Sequence, residues 1–144
     1  MLGPMLVVAV FVALLPSPVH AQSAAGALRS FGFVGEWAPD CSKPAARDNS
    51  RRRITVKSGA AQFEEDLGQG STPNKYVVQS AKQMAPNRIE IRTTFNDKHT
   101  AEFTVMKEGR RVRTVDTVAD GKTIVKDGAI VGTNAQTVWL NKCQ

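Results

Sequence analysis

Two cysteines, Cys41 and Cys143, stand near opposite ends of the chain, and each follows a tryptophan by four residues: Trp37 before Cys41, Trp139 before Cys143. The chain holds only two of each residue type, so the first and last hydrophobic segments share matching Trp-x-x-x-Cys elements. A pair of this kind predicts one disulfide that sews the chain end to end. Closing a loop of that size is worth roughly 4–5 kcal/mol in the chain-entropy model. The cysteines lie too far apart for a redox Cys-x-x-Cys and are too few for a zinc cage.

The compartment follows from the other end. Residues 1–21 carry no charged side chain. An apolar run from Met5 to Leu15 is broken by Pro16 and Pro18, and Val19-His20-Ala21 places small residues where a signal peptidase cuts. This layout predicts a secretory signal peptide cleaved between Ala21 and Gln22, although its amino-terminal region lacks Lys or Arg. An uncleaved anchor is the alternative. The run is short for a membrane span, which needs roughly 20 apolar residues. Periplasmic or secreted localisation, an oxidised Cys41–Cys143 pair and a chain of one-domain size fit together.

Between the cysteines the pattern is that of short strands. Phe31, Phe33, Gly35 and Trp37 share one face of a two-residue period. In Arg52 to Lys57, Ile54 and Val56 face inward; after Ser58-Gly59, Phe63 is the inward anchor. Residues 66–73, with Gly68, Gly70 and Pro73, predict a longer mobile loop. Tyr76 and Val78 share a face opposite Val77. Ile89, Ile91, Thr93 and Phe95 alternate with Arg88, Glu90, Arg92 and Thr94, and Ala101, Phe103 and Val105 answer them. Alternation blurs between Val112 and Val115, which predicts a bulge. Asp120-Gly121 and Asp127-Gly128 are strong hairpin signals. No stretch shows a clear helical period, and residues 22–30 predict a flexible lead-in, with one loose helical turn over Gln22 to Leu28 as the alternative.

These spacings predict an all-β antiparallel up-and-down meander of about eight strands over residues 31–144. A bond between its two ends favours closure into a small barrel, which removes exposed edges; a β-sandwich is the alternative. In that setting Gly35-x-Trp37 resembles the Gly-x-Trp of the first strand in lipocalin-like (calycin) barrels. The resemblance covers only residues 33–37 and implies that Trp37 closes the barrel floor. The second lipocalin signature, Thr-Asp-Tyr, is absent; Thr114-Val115-Asp116 does not match it.

Composition narrows function by exclusion. The net charge of +6 favours anionic surfaces or ligands, while the arginine runs at 51–53 and 110–113 also suit solvated strand faces. Export and the lack of aromatics among the arginines argue against nucleic acid. His99 is the one histidine after residue 21, in or beside a turn. Glu64-Glu65-Asp66 is the one acidic cluster, and its successive side chains point to opposite faces. No cofactor, metal site or catalytic set emerges, so the expectation is a monomeric binding module without enzyme activity. Its ligand-facing residues are expected to be Phe63, Phe95 and Phe103, with Arg92 for an anionic head. Cys41, Cys143, Gly35, Trp37 and Trp139 are structural. The alternative is a solid barrel that meets an envelope protein, inhibitor-like, through residues 22–29 or the 66–73 loop.

Overall fold

The tight turns set the course of the chain. Asn96-Asp97, Asp120-Gly121 and Asp127-Gly128 each place two successive residues at positive φ (51° and 54°, 47° and 78°, 51° and 79°), the backbone of the hairpin turn whose twist suits paired strands. The computed structural model describes residues 22–143; the expected signal peptide, residues 1–21, lies outside them. Seven strands follow one another: β1 (Gly35–Ala38), β2 (Arg51–Lys57), β3 (Ala60–Asp66), β4 (Asn74–Ala85), β5 (Arg88–Phe95), β6 (His99–Glu108) and β7 (Arg111–Ala119). Three more complete the sheet: β8 (Lys122–Lys126), β9 (Ala129–Ile130) and β10 (Leu140–Lys142).

Each strand from β1 to β7 pairs antiparallel with the next, and β10 pairs with both β1 (Trp37 opposite Lys142) and β7 (Leu140 opposite Val112). The result is a closed eight-stranded antiparallel barrel. One edge of β7 is divided. Its first half takes β10, and its second half takes β8 through Thr117–Val125 and Ala119–Lys122. The division falls beside a bulge at Val115, where the β6 register passes from Thr104–Asp116 to Val105–Thr114. The β8–β9 hairpin therefore stands outside the ring, where the sequence pattern had suggested one continuous meander.

Closure is locked covalently. Cys41 and Cys143 are bonded, with Cα atoms 5.4 Å apart, and the Cys143 N–H donates to the Glu36 carbonyl at 2.8 Å. Trp37 and Trp139 do not meet. Trp37 is 1% exposed inside the barrel, whereas Trp139 lies outside, its ring 4.4 Å from the Arg111 guanidinium and 5.1 Å from that of Arg113.

The expected flexible lead-in is a correction. Residues 22–30 are not a loose arm: Ala24–Phe31 form helix α1, with Ser23 as N-cap accepting the Gly26 N–H at 3.1 Å. Gly32 ends it at φ 78°, and the N–H groups of Gly32 and Phe33 return to Arg29 and Leu28 carbonyls at 2.9 Å, a Schellman closure. Its buried face is Ala25, Ala27, Leu28 and Phe31, packed against β3 and β4. The helical stripe was hidden because two of those four side chains are alanine methyls, and Phe31 also fits the two-residue period of Phe33 and Trp37. The strand begins only at Gly35, whose φ of 129° suits glycine.

α1 floors the barrel. Leu28, Phe31, Phe33 and Trp37 form one core with Ile54, Ile89, Ile91, Val105, Val112 and Leu140. The Trp37 indole N–H donates to the Phe33 carbonyl at 2.8 Å. Two inward lysines finish the helix: Lys107 Nζ donates to the Phe31 carbonyl at 2.7 Å and Lys142 Nζ to Gly32 at 3.1 Å. Cations at a helix C-terminus satisfy its free carbonyls and oppose its dipole. Among the described residues, no helix is long and apolar enough to cross a membrane.

Candidate ligand site at the barrel mouth

The alternation that buries Ile54 also turns Arg52 inward, and the β2–β3 register sets Glu65 opposite it and Phe63 opposite Ile54. Arg52 Nε donates to Glu65 Oε1 at 3.1 Å. The two terminal amino groups of Arg52 have no hydrogen-bond partner among the described residues, and they are not sealed from solvent. Arg52 itself lines the well at the open end of the barrel. The neighbours of Glu65 take the other face: Glu64 lies 3.8 Å from Arg53 and 3.9 Å from Lys75. On that outer face Arg53 and Arg51 also hold Glu36, whose carboxyl they keep below its ordinary range, Arg53 foremost.

An aromatic wall rises beside the ion pair. Tyr76 faces Phe63 across the β3–β4 pair, with ring centroids 5.2 Å apart. Phe95 lies 5.1 Å from Tyr76 and Phe103 lies 6.0 Å from Phe63. All three interplanar angles are between 37° and 50°, tilted contacts of the kind aromatic quadrupoles favour. The expected Phe63, Phe95 and Phe103 thus share one wall, joined by Tyr76. Phe63, Tyr76 and Phe103 line a well of about 170 Å³ together with Arg52, Glu65, Thr93, Thr114 and Thr117, and Phe95 backs it through Tyr76. Burial pushes the Tyr76 hydroxyl above its ordinary pKa, and the Glu65 charge adds to this, while Arg52 acts in the opposite direction.

Arg92 is not part of this arrangement. It belongs to the outward set of β5, where its Nε donates to Glu102 at 3.1 Å, and its side chain is 59% exposed. The inward cation is Arg52. Its place was legible in the same alternation that placed Ile54 and Val56, but a run of three arginines reads first as a solvated face. Alternation puts Tyr76 on one face with Val78, and nothing in the sequence alone pairs it with Glu65.

The other expected positions are plainly located. His99 opens β6 on the rim, its Nδ1 2.8 Å from Asp120 Oδ2; the Thr100 N–H and then His99 hold the Asp120 carboxyl below its ordinary range. In the 66–73 loop Asp66 Oδ1 accepts the Gly68 N–H at 2.8 Å, and Gly68 packs so closely on the 41–50 segment that a Cβ there would sit 2.3 Å from the Ala45 carbonyl. Among the described residues, no group of three His, Cys, Asp or Glu side chains is arranged to hold a metal.

What fold and site define is a small closed β-barrel, plugged at one end and open at an aromatic-walled mouth. No protein-family model, curated protein or solved structure matches the chain.

Proposed function

We propose that the protein is an exported binding module whose barrel mouth takes a small amphipathic molecule with an anionic group. One observation carries the reading: an inward guanidinium, held by Glu65 through Nε, shares its well with three tilted aromatic rings, Phe63, Tyr76 and Phe103. A guanidinium fork matches an oxyanion in two parallel hydrogen bonds. Apolar walls with a few placed polar groups are what small-molecule sites provide. The Gly35-x-Trp37 resemblance to calycin barrels supports the same reading, as does the disulfide, which suits an oxidising compartment. In the solid-barrel alternative the contact segment at residues 22–29 would be a helix with one face in the floor, not a loose arm.

The test uses 1-anilinonaphthalene-8-sulfonate and its neutral counterpart N-phenyl-1-naphthylamine, which keeps the rings and lacks the sulfonate. Fluorescence titration of the wild type should saturate at one site for both. Arg52→Gln removes a charge-assisted contact and should weaken the sulfonate about tenfold, leaving the neutral probe within about twofold. No saturable binding of either probe, or an equal loss of both in the variant, overturns the reading.

A further inference from the structure

The well of about 170 Å³ is smaller than the roughly 300 Å³ at which pockets for drug-sized ligands begin. It does not end at its own rim. A second cleft, of about 340 Å³, shares Arg52, Thr114 and Thr117 with the well and continues outward to Ile124, Ile130 and Val138. Those three belong to the β8–β9 hairpin and the segment that follows it, outside the barrel ring. Four of the seven large apolar side chains exposed among the described residues lie here: Ile124 and Ile130 at 38%, Val131 at 54% and Val138 at 56%. A lip so apolar beside an ion pair is a concentration that single exposed hydrophobics do not explain.

The lip is firmly attached. The Thr137 hydroxyl donates to the Thr114 carbonyl at 2.6 Å, the Thr137 N–H to Gly128 at 2.8 Å, and the Val131 N–H to Ile124 at 2.9 Å. Its apolar side chains are thereby held beside Thr114, on the rim of the well. The polar belt of Arg52, Thr114 and Thr117 separates two apolar compartments, one aromatic and internal, one aliphatic and external.

We infer that the β8–β9 hairpin is the second half of the binding site, and that the ligand carries its anionic group between two apolar arms, one in the aromatic well and one against Ile124, Ile130 and Val138. This rests on the mouth being a ligand site. A head group at the end of a single chain would fill only one compartment. An anion in the middle of the molecule places both arms on apolar walls while its oxygens reach the free amino groups of Arg52.

The experiment compares two probes of matched charge. 1-Anilinonaphthalene-8-sulfonate has two ring systems flanking its sulfonate; 8-aminonaphthalene-1-sulfonate lacks the outer phenyl arm. The variant is Ile124→Thr/Ile130→Thr/Val138→Thr, which keeps β-branched residues at exposed positions. It should bind the two-armed probe about tenfold more weakly, and the one-armed probe within about twofold of wild type. In wild-type protein, NMR signals of the Ile124 and Ile130 methyls should move with the two-armed probe and stay with the one-armed probe, whether or not the triple variant folds. Unchanged affinity for both probes, equal loss of both, or unmoved methyls would overturn the lip as the second compartment while leaving the mouth reading intact. Failure of the wild type to bind either probe would overturn both together.

Discussion

The two ends of this barrel are built on opposite principles. At the floor, Leu28, Phe31 and Trp37 are at most 1% exposed, and both lysines that point inward spend their ammonium groups on α1 carbonyls. At the mouth, inward Phe63 and Phe103 are only partly buried, and the inward arginine leaves two amino groups without a partner among the described residues. The same strands run through both. What differs is the plug: the helix supplies the floor with side chains and capped carbonyls, and among the described residues the mouth has no counterpart. A barrel of eight strands can be filled by its own residues; this one is filled from one side only.

The largest effect tests what the halves have in common. The Cys41–Cys143 bond spans 102 residues and, in the chain-entropy account, acts on the unfolded chain, so it stabilises floor and mouth alike. Replacing both cysteines by serine should lower the unfolding free energy by roughly 4 kcal/mol in urea denaturation. Affinity for the anilinonaphthalene probe should stay within about twofold while the protein is folded. A stability loss confined to one half, seen as two separate transitions, would mean that the barrel is not one cooperative unit.

The next effect separates the halves. Trp37→Ala opens a cavity in closed packing and should cost about 3–5 kcal/mol. Phe95→Ala trims a ring on a half-open wall and should cost about 1 kcal/mol, because little cavity is created where solvent already reaches. Binding should rank the other way, with Phe95→Ala weakening the probe and Trp37→Ala acting only through unfolding. Equal stability losses for the two substitutions would erase the distinction between floor and mouth.

Much of this was legible in the residues. The end-to-end bond needed only two cysteines and a predicted export route. The barrel needed the alternation of Ile89–Phe95 with Ala101–Val105, and the Asp-Gly turns. The bulge at Val115 showed itself as a blurred period. The helix was not legible, since alanines carry too little hydrophobic contrast to mark a stripe and Phe31 satisfies two periods at once. The site was half legible. Alternation brings Phe63, Phe95 and Phe103 to the interior, yet only the cross-strand register sets Glu65 opposite Arg52. The placement of β8 and β10 on two halves of one β7 edge is a long-range choice with no local signal.

The smallest effect reads the mouth from within. Tyr76 is the single tyrosine of the chain, so phenolate absorbance follows it alone. Burial and the Glu65 carboxylate both disfavour the phenolate and raise its pKa above the ordinary value of 10.0, and Arg52 partly offsets them. Glu65→Gln should therefore lower the titration midpoint, and Arg52→Gln should raise it, in each case by less than about one pH unit at a site open to solvent. A bound sulfonate adds a negative charge and excludes water, so it should raise the midpoint further. This last shift discriminates sharply. A probe lodged anywhere on the outer face, against the Glu36–Arg53 ladder for example, would leave Tyr76 unmoved, because the wall of the barrel stands between them.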